Sequence, residues 1–140
     1  MEEHVIVVSL GYVGLPTALV FASKGFHVIG VDVDQRKVDM LKKGECYLLE
    51  KDIASLLRKV TAKGNFTPTT DISSSIECAS SVIICVPTPA NAGEVNLSFL
   101  ESVLRVISDN IQRNQLIVVE FTIPPRTTVN FVKPFLKAQV

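Results

Sequence analysis

A turn with two glycines, set between an apolar strand and a helix, limits the folds open to this chain more than any other feature. Residues 4–9 (HVIVVS) form a continuous apolar run, which is typical of a strand buried on both faces. Residues 11–16 (GYVGLP) follow, then apolar residues at helical spacing over 18–23, and a second buried strand over 28–32 (VIGVD). A strand, a crossover helix and a second strand in this order predict two neighbouring parallel strands.

The rest of the chain continues this alternation of helices and strands. The sequence predicts further helices over 34–43, 52–63, 72–79, 98–111 and 127–137, and further strands over 66–68, 82–86 and 116–120. We expect a polar loop over 90–96 and Ser98 as the N-cap of the following helix. Pro134 is unfavourable within the last predicted helix. The strands are apolar throughout, so helices must cover both faces of the sheet. The predicted fold is a doubly wound parallel α/β sheet in three layers, α/β/α, forming one domain over residues 1–140.

Composition and charge exclude several classes of function. Hydrophobic residues make up 47% of the chain, which is enough for a core, and the 14 basic residues are matched by 14 acidic ones. Without a basic excess, nucleic-acid binding has little support. The longest apolar runs have the length of strands and are far too short to span a membrane, and the N-terminus lacks the zones of a signal peptide. We therefore expect a cytoplasmic protein with no membrane partner.

The three cysteines do not form a metal or disulfide pattern. Cys46, Cys78 and Cys85 have no CxxC spacing and no paired histidines beside them. We expect three reduced, mostly buried thiols and no bound metal.

The glycine turn has the spacing of the Rossmann dinucleotide fingerprint, G-x-G-x-x-G, with serine in place of the first glycine. Gly11 has no Cβ and lets the backbone approach a pyrophosphate, whereas Gly14 lets the helix lie close to the strand. The free N–H groups at the start of the helix would face the phosphates. Asp32, about 20 residues further on, can accept the ribose hydroxyls of adenosine and would repel a 2′-phosphate. The combination predicts NAD rather than NADP as the cofactor.

Ser9 is the departure from that fingerprint. Serine can replace the first glycine without strain only if its φ stays negative. A left-handed serine costs roughly 1–2 kcal/mol. If that whole cost fell on binding, NAD affinity would drop about tenfold or somewhat more.

Three segments resemble the UDP-glucose/GDP-mannose dehydrogenase family. They are GYVGLP at 11–16, VPTP at 86–89, and EFTIPPRTT at 120–128, which is similar to the family's E-S-T-x-x-P-G-T-T segment. The order and spacing are those of the family, and the resemblance covers nearly the whole chain. The sequence Ile-Pro-Pro at 123–125 and Val132-Lys133-Pro134 are most similar to the UDP-N-acetylmannosamine dehydrogenase branch.

The resemblance implies a two-step oxidation of the C6 alcohol of a nucleotide sugar to a carboxylate, with two NAD reduced per turnover. The residues that it places at the cofactor are Gly11, Tyr12, Val13 and Gly14 at the pyrophosphate, Asp32 and Lys37 at the adenine ribose, Pro87 and Thr88 along the cofactor, and Thr122 near the nicotinamide. Thr122 would also help to place a catalytic water.

The catalytic half of the family has no counterpart in these 140 residues. The family's nucleophilic cysteine lies in a glycine-flanked motif of a second domain, and its catalytic lysine and asparagine lie in a connecting helical region. Cys46, Cys78 and Cys85 match no such motif. We therefore expect no dehydrogenase activity from residues 1–140 alone, and a UDP-sugar as partner only if the missing domains are supplied. Apolar surface that those parts would cover could support a homodimer.

Ser9, Phe121 and Arg126 stand where the family has glycine, serine and glycine. Each change is reachable by one base transition, which suggests a decaying or truncated gene product whose fold is kept while its site erodes. The rival hypothesis is a single domain of an unusual family member, and an intact downstream reading frame with the cysteine motif would contradict decay. Two further alternatives to a dehydrogenase portion are a non-catalytic NAD(H)-binding module and a remnant that binds nothing.

Overall fold

The structure, a computed structural model, describes residues 3–137 and confirms the predicted alternation of strands and helices. The strands are β1 (His4–Val8), β2 (His27–Val31), β3 (Phe66–Thr69), β4 (Ser81–Ile84), β5 (Ala90–Asn91), β6 (Glu94–Val95) and β7 (Leu116–Val119). The helices are α1 (Gly14–Ser23), α2 (Gln35–Lys42), α3 (Lys51–Lys63), α4 (Ser73–Ile76), α5 (Ser98–Asn110), a π-helical turn (Thr128–Val132) and α6 (Lys133–Lys137).

Five parallel strands form the central sheet in the order β3-β2-β1-β4-β7. In the register of β1 with its two neighbours, Val5 lies opposite Val28 on β2 and Ser81 on β4. After β3 the chain crosses to the other side of β1 to form β4. The order therefore reverses between β1 and β4, and ligands of open α/β sheets bind at the carboxyl ends of the strands beside such a reversal.

Helices cover both faces of the sheet, as the apolar strands predict. On one face α1 and α3 pack on the sheet, and on the other face α5 and the C-terminal helical segment do so. The first core includes Val5, Val7, Leu15, Leu19, Val28 and Leu57, and the second includes Ile6, Val8, Val82, Ile84, Leu100 and Leu104. The three-layer α/β/α arrangement leaves the carboxyl edge of the sheet open to a ligand.

Local details differ from the sequence predictions where short-range hydrogen bonds decide the structure. The first helix begins at Gly14, so Pro16 lies in its first turn and the apolar residues over 18–23 form the rest of the helix. The expected loop over 90–96 contains the antiparallel pair β5–β6. Ser98 is the first residue of α5 and not its N-cap, because its N–H donates to Asn96 Oδ1 at 2.9 Å.

The helix predicted over 127–137 is present but changes type along its length. A π-helical turn precedes α6, and Pro134 is the second residue of α6. Proline in an uninterrupted α-helix clashes with the carbonyl four residues earlier, and a wider turn before it relieves that clash. None of the described helices is both long and apolar enough to cross a membrane.

Candidate functional site

A cavity of about 470 Å³ opens at the carboxyl ends of β1, β2 and β4, beside the reversal of strand order. Its volume lies within the range of small-molecule sites. It is lined by Val8, Ser9, Val31, Asp32, Val33, Asp34, Lys37, Thr70, Ile72, Val86, Pro87, Phe99, Ser102, Val103 and Val106. The lining is mostly apolar, with Asp32, Asp34 and Lys37 as its charged groups, which suits a flat aromatic group attached to a polar sugar.

Asp32 holds the glycine turn and the start of α2 in place. Its Oδ2 accepts a hydrogen bond from the Leu10 N–H at 2.9 Å, and its Oδ1 accepts one from the Asp34 N–H at 2.9 Å. The residue is only 7% exposed. An ionised carboxylate has about four lone-pair sites, so each oxygen can still accept a hydroxyl from a ligand in the cavity.

The two glycines of the turn have different physical roles. A Cβ on Gly14 would lie 1.7 Å from the Ser9 carbonyl oxygen and 3.3 Å from Cys85 Cβ, so only glycine permits this approach of α1 to the sheet. A Cβ on Gly11 would meet no protein atom within 4 Å. The packing role predicted for Gly14 is confirmed, and the space beside Gly11 is free for a ligand.

The N-terminus of α1 presents its amide groups beside Gly11. The first hydrogen bond of the helix runs from the Leu15 N–H to the Gly11 carbonyl at 3.1 Å, so the amides that precede Leu15 have no carbonyl of an earlier turn to bind. The Tyr12 and Val13 side chains at this turn are 86% and 51% exposed. Free amides and the positive end of a helix dipole together form a suitable site for a phosphate group.

Ser9 and Arg126, two of the three departures from the family pattern, both have left-handed backbone. Their φ angles are +76° and +69°. Ser9 keeps this conformation while its N–H donates to the Val31 carbonyl at 2.7 Å. The condition for an unstrained serine is therefore not met.

Glycine at either position should stabilise the fold. We expect Ser9→Gly and Arg126→Gly each to raise the free energy of unfolding by about 1 kcal/mol, because glycine adopts positive φ without a Cβ clash and loses only part of the gain to unfolded-state entropy. Asn114 is the matched control. Its φ is +68°, but asparagine tolerates this region, so Asn114→Gly should change stability much less. Urea denaturation measures all three, and equal effects would contradict the assigned strain.

The loops after β4 and β7 are joined on the other side of the glycine turn. Thr88 Oγ1 donates to the Thr122 carbonyl at 2.9 Å, which brings together two residues that the sequence assigned to the cofactor. The Glu120 carboxylate accepts from Thr17 Oγ1 of α1 at 3.3 Å and from Cys85 Sγ at 3.8 Å. These contacts connect α1, β4 and the segment after β7.

Cys85 is an unreactive thiol in this network. Burial, and then the negative charge of Glu120, raise the pKa of Cys85 from 9.0 to about 12. Because the pKa is higher in the folded state, the thiol ionises first in the unfolded chain. This difference lowers the stability of the fold only as the pH rises from 9.0 towards about 12. At neutral pH the thiol is protonated, which is the opposite of an activated nucleophile.

The cysteines should therefore differ in alkylation rate. At about pH 8 we expect iodoacetamide to modify the exposed Cys78 first and Cys85 orders of magnitude more slowly, since only about one thiol in ten thousand is ionised at a pKa four units above the pH. Peptide mass spectrometry over time measures this. Glu120→Gln should speed the reaction of Cys85 by removing one cause of the shift. Equal rates at Cys78 and Cys85 in the wild type would contradict this assignment.

The structure brings the predicted cofactor residues to one edge of the sheet but not into one cavity. Asp32, Lys37 and Pro87 line the cavity. Gly11, Tyr12, Val13 and Gly14 form the turn at the start of α1, and Thr88 and Thr122 meet further along the edge. Nothing in the sequence singled out Phe99 on the cavity wall, Glu120 as a bridge, or Tyr47. The Tyr47 hydroxyl donates to the Leu10 carbonyl, although it lies in a loop far from the turn in sequence.

No group of three or more His, Cys, Asp or Glu side chains within residues 3–137 is arranged to hold a metal ion.

The chain is similar to the sequences of known dehydrogenases. The sequence model described as "UDP-glucose/GDP-mannose dehydrogenase family, NAD binding domain" matches residues 3–140. A UDP-N-acetyl-D-mannosamine dehydrogenase of Pyrococcus horikoshii is 36% identical over 125 residues, which is 89% of this chain and 30% of that protein. An NDP-N-acetyl-D-galactosaminuronic acid dehydrogenase of Ralstonia nicotianae is 39% identical over 123 residues, 87% of this chain and 28% of that protein. The chain spans about 30% of the length of these relatives.

Solved structures agree with the sequence matches. A ternary complex of GDP-mannose dehydrogenase from Pseudomonas aeruginosa superposes with a TM-score of 0.90 at 31% identity, covering 97% of this chain and 32% of that one. The UDP-N-acetyl-mannosamine dehydrogenase of Staphylococcus aureus gives a TM-score of 0.90 at 33% identity, with 97% and 33% covered.

Proposed function

The chain belongs to the UDP-glucose/GDP-mannose dehydrogenase family and matches its NAD-binding domain, and from this we propose that it is the cofactor-binding portion of a nucleotide-sugar 6-dehydrogenase. The observation that carries the proposal is the cavity beside the strand-order reversal, with the Asp32 carboxylate on its wall and the open space beside Gly11 at the adjoining turn. UDP-N-acetylmannosamine or UDP-glucose is the class of substrate that we propose for the whole enzyme.

The residues present fit NAD. The cavity would take the adenosine half, and Asp32 and Lys37 of its lining would meet the ribose. The pyrophosphate would lie over Gly11, in the open space that a Cβ at this position would occupy. It would accept hydrogen bonds from the amides at the start of α1. Carboxylates at the ribose end disfavour a 2′-phosphate, which supports NAD over NADP.

On the nicotinamide side, we propose that Pro87, Thr88 and Thr122 lie along the cofactor. NAD supplies the hydride acceptor for oxidation of the C6 alcohol to a carboxylate. The Thr88 hydroxyl fixes the Thr122 backbone, which would allow the Thr122 side chain to place a water near the reacting carbon.

Residues 1–140 by themselves should bind the cofactor without oxidising a sugar. A covalent thiol mechanism needs an ionised cysteine beside the nicotinamide. Cys85 is the cysteine at the carboxyl end of β4, and its raised pKa makes it unsuitable. A UDP-sugar would bind productively only when the remaining family domains are supplied. A homodimer and a cytoplasmic location stay predictions from the sequence.

Calorimetric titration tests the proposal directly. We expect NAD and NADH to bind in the cavity, and NADP to bind about tenfold or more weakly. Mixing the chain with NAD and either UDP-sugar should give no NADH absorbance. NADH formation would contradict the inactive-portion proposal, and a stronger response to NADP than to NAD would contradict the role of Asp32.

A second candidate, a remnant that has lost cofactor binding, is favoured by the strained Ser9 and Arg126. Titration of the wild type and of the triple variant Ser9→Gly, Phe121→Ser and Arg126→Gly separates the candidates. A gain in NAD affinity in the triple variant would indicate erosion. An unchanged affinity would indicate that the departures are adapted to a binding module.

A further inference from the structure

Tyr47 is connected to the glycine turn although it belongs to the loop between α2 and α3. Its side chain is partly buried, and its hydroxyl donates a hydrogen bond to the backbone carbonyl of Leu10. Leu10 itself is fully buried. This contact spans 37 residues of sequence, and Tyr47 lies outside the segments 11–16, 86–89 and 120–128.

The Leu10 backbone is held at both of its polar groups. Its N–H donates to Asp32 Oδ2 at 2.9 Å, and its carbonyl accepts the Tyr47 hydroxyl. The residue before it is Ser9, at a φ of +76°. Residues other than glycine and asparagine rarely hold this conformation unless the surroundings enforce it. The two hydrogen bonds to Leu10 lie immediately beside this residue.

The surroundings keep the Tyr47 hydroxyl in its donating form. Burial raises the pKa of Tyr47 well above its ordinary value, and the nearby Asp32 charge raises the pKa further. The ring also lies under the Lys37 ammonium, whose Nζ is 5.4 Å from the ring centroid. Tyr47 thus contacts both the turn and a lysine on the cavity wall.

We propose that Tyr47 is a positioning residue that holds the left-handed Ser9 turn in the conformation that directs the amides of α1 towards a pyrophosphate. The inference rests on the proposed NAD site and extends it to a residue outside the fingerprint. A glycine at position 9 would adopt the turn unaided, whereas serine requires a restraint. If the binding-competent turn is populated only in part, the apparent dissociation constant rises by the inverse of that fraction.

The test is a double-variant cycle between Tyr47→Phe and Ser9→Gly. Phenylalanine removes the hydroxyl and keeps the ring beneath Lys37. In the Ser9 background we expect Tyr47→Phe to weaken NAD binding by roughly five- to tenfold, the effect of losing one neutral hydrogen bond. In the Ser9→Gly background the loss should be about twofold or less. Adenosine, which lacks the pyrophosphate, should bind all four proteins alike in an NMR titration.

Amide hydrogen exchange at Ser9 and Leu10 without ligand gives a readout that does not depend on NAD, because these two N–H groups are protected by their hydrogen bonds to the Val31 carbonyl and Asp32 Oδ2. Exchange should accelerate by roughly tenfold in Tyr47→Phe and return close to the wild-type rate in the double variant. Thr61→Val is the matched control, because the buried Thr61 hydroxyl has no hydrogen-bond partner among the described residues. It should leave NAD affinity and exchange at the turn unchanged.

The outcomes distinguish the two proposals. An equal loss of NAD affinity in both backgrounds, or no loss in either, would overturn the positioning role of Tyr47. Wild-type protein that binds no NAD would overturn the proposed function. The exchange measurement would then decide whether Tyr47 restrains the Ser9 turn. Exchange rates in Tyr47→Phe equal to those of the wild type would overturn the restraint itself.

Discussion

Replacement of Gly14 by alanine is expected to destabilise the fold by about 3 kcal/mol or more, because the added Cβ would lie 1.7 Å from the Ser9 carbonyl oxygen. The obstacle is backbone, so no change of rotamer can relieve it. Either α1 moves away from the sheet or the turn at Ser9 rearranges. Thermal unfolding should show a midpoint lower by roughly 10 °C or more.

Gly11→Ala is the matched control for this variant. The same atom is added three residues earlier, where it meets no protein atom within 4 Å, so the melting temperature should stay near that of the wild type. The alanine Cβ would instead point into the space proposed for the pyrophosphate. NAD affinity should fall about tenfold or more. If both variants lose stability alike, or if Gly11→Ala binds NAD normally, the two glycines have not been assigned correctly.

Replacement of Asp32 by alanine should affect both stability and binding. Two backbone donors would lose their acceptor: the N–H of the fully buried Leu10, and the N–H of Asp34, which is an exposed residue. An unsatisfied buried donor costs about 1–3 kcal/mol, whereas water can replace the acceptor of the Asp34 N–H, so we expect a total of about 1–3 kcal/mol in chemical denaturation. Loss of the carboxylate should also weaken NAD binding and reduce the preference for NAD over NADP.

Asp39 provides a control on the neighbouring helix. Its carboxylate accepts a hydrogen bond from the Gln35 side chain at an exposed position. Asp39→Ala should therefore change stability by about 0.5 kcal/mol or less and leave the cofactor preference intact. A comparable loss in both aspartate variants would show that Asp32 acts through general charge rather than through its two hydrogen bonds.

The fold was predictable because its main signals are local and repeated. Apolar runs such as 82–86 and 116–120, separated by helical segments, are sufficient to predict parallel strands buried on both faces. The glycine turn and the acidic residue that follows β2 then predict a cofactor site at the carboxyl edge. The close approach of α1 to the sheet at Gly14 was also predictable, because only glycine has no Cβ to prevent it.

The parts that sequence reasoning missed depend on contacts between distant segments. Ser9 has a positive φ and donates to the Val31 carbonyl, and the adjacent Leu10 backbone is bonded to Asp32 and Tyr47; these partners are far from the turn in sequence. Glu120 bridges helix α1 and strand β4 through side chains that are far apart in the chain. The β5–β6 pair is too short for periodicity to detect, since each strand has two residues.

The position of β7 at the end of the sheet has a practical consequence for handling the protein. The N–H groups of Leu116 and Glu120 donate to the carbonyls of Ser80, just before β4, and Ile84, at its end. The alternating amides of Ile117 and Val119 therefore face outwards, where no strand follows among the described residues. The strand reads LIVV, without charge or proline, and nothing within it blocks pairing with another chain. Such an edge is a template for intermolecular strand addition, so concentration and refolding conditions will govern how long the purified chain stays free of aggregates.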